Sequence, residues 1–197
     1  MRTSMMKLVV FVVVFSIAIF MTVATALAGS QTIKGRNAVL QGEYAFVGSG
    51  ACLFAPGFTD DNPFIPTGPS TIGPNTWEGV YTFKRNGTGE TQAVNRFVDT
   101  APSAGLAHIY WRFTYTVDKG KITFTYVPDS YVATWDYGPL AGGELTGVAF
   151  TEPYSGRISP DGETLFVSFG VPMKLIPPFP GLELVCNGVH QGFKTHE

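Results

Sequence analysis

The stretch Ala107–Val117, AHIYWRFTYTV, constrains the fold more than any other part of the chain. Its odd-numbered positions carry Ala, Ile, Trp, Phe, Tyr and Val, whereas polar residues dominate the even-numbered ones. Side chains of a β-strand alternate between two faces, so the pattern predicts a strand with one buried face and one wetter face. Such strands are typical of antiparallel sheets, because strands of parallel sheets are buried on both faces.

Turn sequences join this strand to others. Asp118-Lys119-Gly120-Lys121 leads into a second alternating strand at 122–127, and the two strands are predicted to form a hairpin. Asn86-Gly87 tolerates the positive φ of a tight turn and predicts a hairpin over 77–97. Ser159-Pro160-Asp161-Gly162 predicts a third hairpin, between 154–158 and 164–169.

Further strands are predicted at 40–54, 131–135, 145–151 and 182–189. The total reaches about eight to ten short strands. No stretch after residue 28 shows the 3.6-residue apolar period of a helix. The predicted fold is therefore all-β, an antiparallel up-and-down β-barrel of about eight strands, with a β-sandwich as the alternative.

Residues 1–28 are predicted to be a helical signal peptide that precedes a single β-barrel domain over 29–197. The basic residues Arg2 and Lys7 precede the uncharged run LVVFVVVFSIAIFM. Ala26-Leu27-Ala28 then supplies the small residues of a cleavage site. The protein is then secreted or periplasmic, with no membrane association after cleavage. An uncleaved anchor is the alternative, because 8–28 is uncharged and long enough to span a bilayer.

The two cysteines, Cys52 and Cys186, are predicted to form a disulfide, because an oxidising compartment favours pairing. Two separate buried thiols are the alternative. Cys52 lies an even number of residues from Tyr44 and therefore has the same parity, which places both on one face of the predicted first strand. Cys186 likewise shares the parity of Leu184 in the predicted last strand. A disulfide between them requires the two strands to be neighbours, as they are when an up-and-down barrel closes.

Strand starts, glycine turns and a cysteine pair mark the segments LQGEYAFVGSGACL, GVYTFKRNGTGE, FTYTVDKGKITFTYV, LTGVAF and SGRISPDGETLFVSFG. With these features the chain resembles a group of small exported bacterial β-proteins of uncharacterised function. Their members begin with a G-x-Y-A-F strand leading to a Cys and end with a second Cys near the C-terminus. Gly42-Glu43-Tyr44 also resembles the G-x-W that opens lipocalin and avidin-like barrels, with Tyr44 in place of the Trp, and this resemblance implies a barrel of the calycin type. Neither resemblance implies a catalytic residue or a ligand.

No enzyme motif is present, and the sequence predicts a protein without catalytic residues, metal or cofactor. It contains no G-x-S-x-G elbow, H-E-x-x-H motif or glycine-rich phosphate loop. His108 and Arg112 are interpreted as surface residues of the wetter strand face, and Asp60 and Asp61 as solvated loop acids. A net charge of −2 at pH 7 argues against nucleic-acid binding.

Aromatic residues are the strongest functional signal. The candidates for lining a ligand cavity are Tyr44, Phe46, Tyr81, Phe83, Trp111, Phe113, Phe124 and Trp135. The alternative is that they fill the core, since each aromatic side chain buries about 150–250 Å². An eight-stranded barrel can hold one small ligand, so the expected function is binding of a small apolar molecule. An extracytoplasmic interaction module that contacts a protein partner or the cell surface is the alternative.

The Pro-rich segment 55–76 is predicted to be a loop that joins no ladder, because it contains five prolines. Its apolar residues Phe58, Phe64 and Ile65 suggest a lid over the mouth of the barrel, or a surface loop with scattered apolar side chains. The segment 171–181 is predicted to be a shorter Pro-rich connection before the last strand.

Overall fold

A computed structural model describes residues 40–62, 64–98, 104–138, 141–169, 173–177 and 181–196. The predicted signal peptide lies outside these ranges, as does the start of the predicted domain. The described residues form strands and turns but no helix. Accordingly, they include no helix with the length and apolar character needed to cross a membrane.

Twelve strands in the described residues form one antiparallel sheet. In chain order they are β1 (Gly42–Ala55), β2 (Thr71–Phe83), β3 (Thr88–Val98), β4 (Ala104–Asp118), β5 (Lys121–Tyr126), β6 (Val132–Tyr137), β7 (Glu144–Thr146), β8 (Ala149–Phe150), β9 (Tyr154–Ile158), β10 (Thr164–Ser168), β11 (Met173–Ile176) and β12 (Glu183–Lys194). The all-β, antiparallel class predicted from the alternating segments is confirmed.

Eight of these strands follow one another in a closed ring. The hydrogen-bonded order is β1-β2-β3-β4-β5-β9-β10-β12, and β12 pairs again with β1. The closing β1–β12 ladder runs from the pair Tyr44 and Lys194 to the pair Ala55 and Glu183. The first and last strands are therefore neighbours, as the predicted disulfide between Cys52 and Cys186 requires.

Two long strands change partners along their length. β4 pairs with β6 over 106–110 and with β5 over 113–118. β12 pairs with β11 over 184–186 and with β10 over 189–193. One end of the ring therefore continues as two branches, β6–β7 and β11–β8. We call this the branched end.

The alternation predicted for Ala107–Val117 is confirmed in β4, where the odd-numbered residues are buried and none of the even-numbered ones is. The predicted hairpin between β4 and β5 is present. Its two-residue turn, Lys119-Gly120, has φ values of 49° and 76° between the paired residues Asp118 and Lys121. Two successive positive φ values are typical of the type I′ turn, which matches the twist of the flanking strands. The hairpins β2–β3 and β9–β10 are present as well.

Aromatic rings fill the end of the ring opposite the branches, which we call the aromatic end. It contains the buried residues Tyr44, Tyr81, Phe83, Phe113, Tyr115 and Phe124. The ring of Phe113 lies edge-on to those of Phe83 and Phe124, with centroids 5.5 and 5.3 Å apart. Edge-to-face contacts at such distances are favourable beyond the area they bury. This end of the molecule is a packed core.

The prediction that 55–76 contains no ladder strand is wrong for its last part. β2 begins at Thr71, and Pro74 lies inside it, paired with Ala51 of β1. Proline is tolerated there because β3 pairs with β2 only from Asn75 onward, which leaves Pro74 at an edge. The connection predicted at 171–181 likewise contains a short strand, β11.

The remaining loop packs on the outside of the ring. Phe58 is buried against Ala55, Val185 and Leu53. These partners occupy positions in β1 and β12 whose parity is opposite to that of the inward-facing cysteines. Phe64 and Ile65, the other two apolar residues proposed for a lid, are exposed. The loop therefore covers the outer surface of the sheet.

Candidate functional site

A cavity of about 270 Å³ lies within the branched end. Its walls come from β1 to β4, β9 and β12 of the ring and from the strands of both branches. They are largely apolar and include the aromatic residues Trp77, Phe97, Trp111, Trp135, Phe150 and Phe169. Protein interiors contain few voids larger than a water molecule, whereas a cavity of about 150 Å³ can bind benzene. The space is therefore suited to a small two-ring molecule.

The predicted disulfide lies in the wall of this cavity. Cys52 and Cys186 are paired directly across β1 and β12, with their Cα atoms 4.1 Å apart. Beside them, Asn75 Nδ2 donates a hydrogen bond to Cys52 Sγ at 3.4 Å, and Asn75 Oδ1 accepts one from Trp77 Nε1 at 2.7 Å. Asn75 thus links the disulfide to the indole of Trp77 and holds that ring in place.

His190 is a buried titratable residue in the cavity wall. Its ring stacks on Phe46, with centroids 4.8 Å apart and an interplanar angle of 13°. Its Nδ1 lies 2.6 Å from the hydroxyl oxygen of Tyr81. Its Nε2 is buried with no hydrogen-bond partner among the described residues. Burial lowers the pKa of His190 to about 4, so the imidazole is neutral at physiological pH.

The contact with Tyr81 favours one tautomer of this neutral ring. Burial raises the pKa of Tyr81 well above 10, so its hydroxyl keeps its proton. That hydroxyl can donate the proton to His190 Nδ1, its described hydrogen-bond partner. A neutral imidazole that accepts at Nδ1 carries its hydrogen on Nε2. In this tautomer His190, which lines the cavity, carries an N–H donor at Nε2.

Gly48 makes room for the His190 ring. The two residues are partners in the β1–β12 ladder. A Cβ atom at position 48 would overlap His190 Cδ2 and lie 2.6 Å from the backbone oxygen of Val189. Because real Cβ atoms essentially never approach so closely, a side chain here would displace the imidazole or the strand. The glycine in the first strand thus positions a residue near the other end of the chain.

Two further polar atoms in the wall are buried without a partner among the described residues. They are the indole nitrogen of Trp135 and the side-chain oxygen of Asn95. The Trp135 ring is held edge-on to Phe97, with centroids 5.3 Å apart. By contrast, Trp111 Nε1 donates a hydrogen bond to the Tyr154 hydroxyl at 3.2 Å. An unpaired buried polar group costs about 1–3 kcal/mol, so a molecule that pairs with these atoms would gain affinity.

The structure divides the eight aromatic candidates between the two ends of the ring. Trp111 and Trp135 line the cavity. The other six are not among its described lining residues and belong to the packed core: Tyr44, Phe46, Tyr81, Phe83, Phe113 and Phe124. Two of these six still act on the site, since Phe46 stacks on His190 and the Tyr81 hydroxyl shares a hydrogen bond with it.

His190 and Asn95 line the cavity but were not predicted as site residues. A signal for His190 was present, because it shares the parity of Leu184 and Cys186, which face inward. The predicted last strand ended at residue 189, whereas β12 continues to Lys194 and includes His190. For Asn95 no signal was available, since nothing in its local pattern marks an asparagine inside a cavity.

The surface interpretations of His108 and Arg112 are confirmed, because both are exposed. His108 Nε2 lies 2.9 Å from Asp136 Oδ2, and both side chains are more than half exposed. Asp60 and Asp61 are exposed as well. In the part of the chain that the structure describes, no group of three or more His, Cys, Asp or Glu residues could hold a metal ion.

The chain matches no protein-family model, and no curated protein matches it. Its resemblance to small exported bacterial β-proteins therefore stays a prediction.

Proposed function

We propose that this chain is an exported β-barrel protein that binds a small, largely apolar ligand in the cavity of the branched end. One observation carries the proposal: an aromatic-lined space of about 270 Å³ is bordered by three residues that each carry a buried polar atom with no partner in the described part of the chain. The aromatic end of the same ring is tightly packed a few residues away. The cavity is therefore a local feature of the branched end, because the interior is not loosely packed throughout.

The closed ring supports the barrel and its relation to ligand-binding barrels of the lipocalin type. Eight strands enclose an interior just wide enough for side chains or for one small ligand. The disulfide supports export, since disulfides persist mainly in oxidising compartments. A secreted or periplasmic binding protein is the function that unites these features.

Native mass spectrometry of protein purified from its own host tests the proposal first, and we expect a co-purifying small molecule. Calorimetry with indane, an apolar two-ring compound, then tests the cavity directly. Leu145→Phe should abolish indane binding, because residue 145 lines the cavity and a larger ring would occupy the space. Thr114→Phe, on the exposed face of β4, is the matched control. The absence of both a co-purifying molecule and indane binding would refute the function.

A second candidate, an extracytoplasmic interaction module, is favoured by a patch on the outer face of β1, β10 and β12. Val47, Phe166, Val189 and Phe193 are each at least half exposed there. They surround Gln191, which is paired with Val47 on one side and with Phe166 on the other. Contiguous exposed apolar residues mark interaction sites, and a second copy of this chain is the simplest partner.

Sedimentation velocity tests this candidate. We expect a dimer for the wild type and a monomer after Val47→Lys combined with Phe193→Lys. Ligand binding in the cavity should be unchanged by these outward-facing substitutions. A monomeric wild type at high concentration would exclude self-association through this patch.

A further inference from the structure

We infer that the cavity selects neutral aromatic molecules that carry a carbonyl-type hydrogen-bond acceptor. This inference rests on the proposed function and names its ligand class. It follows from two residues that line a largely apolar wall, His190 and Trp135, whose side-chain N–H groups have no partner among the described residues.

The donors determine which polar group the ligand needs. Trp135 Nε1 can only donate, and the bond from Tyr81 leaves His190 Nε2 as a donor too. A carbonyl oxygen has two lone pairs and can accept from such groups. Asn95 Oδ1 is the one unpaired acceptor described in the wall, so the complementary ligand carries more acceptors than donors.

The absence of charge in the described wall determines the ionisation state of the ligand. No Lys, Arg, Asp or Glu occurs among the described lining residues, and the imidazole of His190 is neutral. An ion transferred into such a space would lose its hydration without gaining an opposite charge. A carboxylate or ammonium group on the ligand is therefore selected against.

The ring content of the wall favours an aromatic ligand. The rings that border the space include the indoles of Trp77, Trp111 and Trp135 and the phenyl rings of Phe97, Phe150 and Phe169. Aromatic pairs gain energy from offset-stacked and edge-to-face arrangements beyond the area that they bury. Two of the indoles are held in place by bonds to Asn75 and Tyr154, so the wall is preorganised.

Calorimetry with three compounds of the same two-ring skeleton tests the inference: indane, 1-indanone and indane-1-carboxylate. They differ in having no polar group, a carbonyl group or a charged carboxylate. We expect 1-indanone to bind roughly tenfold more tightly than indane, the effect of about one satisfied hydrogen bond. The carboxylate should bind more weakly than either.

Matched variants then separate hydrogen bonding from shape. Trp135→Phe removes an unpaired indole N–H and should reduce the preference for 1-indanone over indane by roughly threefold to tenfold. Trp111→Phe makes the same change of ring at another wall position, where the N–H is already bonded to Tyr154. This control should leave the preference unchanged, even if both affinities shift with the size of the cavity.

The outcomes distinguish this inference from the function on which it rests. Equal binding of indane and 1-indanone, or tighter binding of the carboxylate, would overturn the ligand class and leave a binding cavity in place. Loss of the preference in both tryptophan variants would show that cavity shape, not the Trp135 donor, sets it. Failure of all three compounds to bind, with no co-purifying molecule, would overturn both.

Discussion

At the aromatic end, Phe113 is wholly buried among other rings, whereas Trp111, two residues earlier on the same face of β4, borders a cavity. Both ends of the ring are rich in aromatic residues, so composition does not explain the difference. The pairing does. β4 pairs with β5 beside Phe113 and with β6 at the branched end, and no ladder in the described residues joins β7 to β8. Where the wall divides into branches, the interior is no longer filled by its own side chains.

The largest expected effect concerns the disulfide in the wall of the cavity. Cys52→Ala combined with Cys186→Ala should lower the free energy of unfolding by up to about 5 kcal/mol, because the bond closes a long loop. Denaturant unfolding of the oxidised wild type and the variant measures the difference. The control is a thiol titration of the unfolded, unreduced protein, in which two reactive thiols per chain would contradict the disulfide.

Alanine substitutions on one face of β4 compare the two ends directly. Phe113→Ala should cost about 3–5 kcal/mol, because it opens a void in a packed core. Trp111→Ala should cost less, about 3 kcal/mol at the lower end of that range, since part of this side chain already borders empty space. Denaturant melts provide both values.

The control for this pair is Thr114→Ala, on the exposed face of the same strand, which should change stability by less than about 0.5 kcal/mol. Equal losses at positions 111 and 113 would contradict the difference in packing between the two ends.

Acidification should weaken the branched end through His190. Its pKa is about 4 in the folded protein and about 6.5 when exposed, so the unfolded chain binds the proton first as the pH falls. The stability contributed by the neutral ring is fully present above about pH 6.5. It is lost between there and about pH 4, by about 3 kcal/mol in total.

Unfolding free energies measured from pH 7 to pH 4 check this prediction, with His190→Gln as the comparison. The variant should lose less stability over the interval, because the titrating group is gone while the carboxylates are unchanged. Parallel pH profiles for the two proteins would show that His190 does not titrate as its burial requires.

The smallest expected effect concerns the contact between the first and last strands. Gly48→Ala should destabilise the fold by about 1–3 kcal/mol and displace the His190 ring, since the added Cβ overlaps it. The nitrogen resonances of the imidazole, observed by NMR, should shift as its bond to Tyr81 is disturbed. Gly192→Ala, where an added Cβ would lie 3.5 Å or more from its neighbours, controls for the general effect of adding a methyl group.

The features that the sequence predicted correctly are those that depend on local patterns. The alternation in β4 and the parity of Cys52 and Cys186 follow from the two-residue period of a strand, and they identified the inward faces and the neighbouring end strands. The tolerance of Pro74 could not be predicted, because it depends on where β3 stops pairing with β2.

The same reasoning explains the division among the candidate site residues. Phe113 and Trp111 have the same local pattern, and only the long-range choice between β5 and β6 as partner places one in the core and the other beside a cavity. The strand parity of His190 would have indicated an inward position. Its unpaired nitrogen depends on contacts with Tyr81 and Phe46, which are more than 100 positions away in the chain.

The placement of the tryptophans has a spectroscopic consequence. The chain has three tryptophans, and all of them border the cavity, while the aromatic end contains only phenylalanine and tyrosine rings. Emission excited selectively at the indole rings therefore reports on the branched end alone. Circular dichroism in the peptide region reports on the whole sheet. If the branches separate before the ring opens, the emission will change at a lower denaturant concentration than the dichroism, without any label added to the protein.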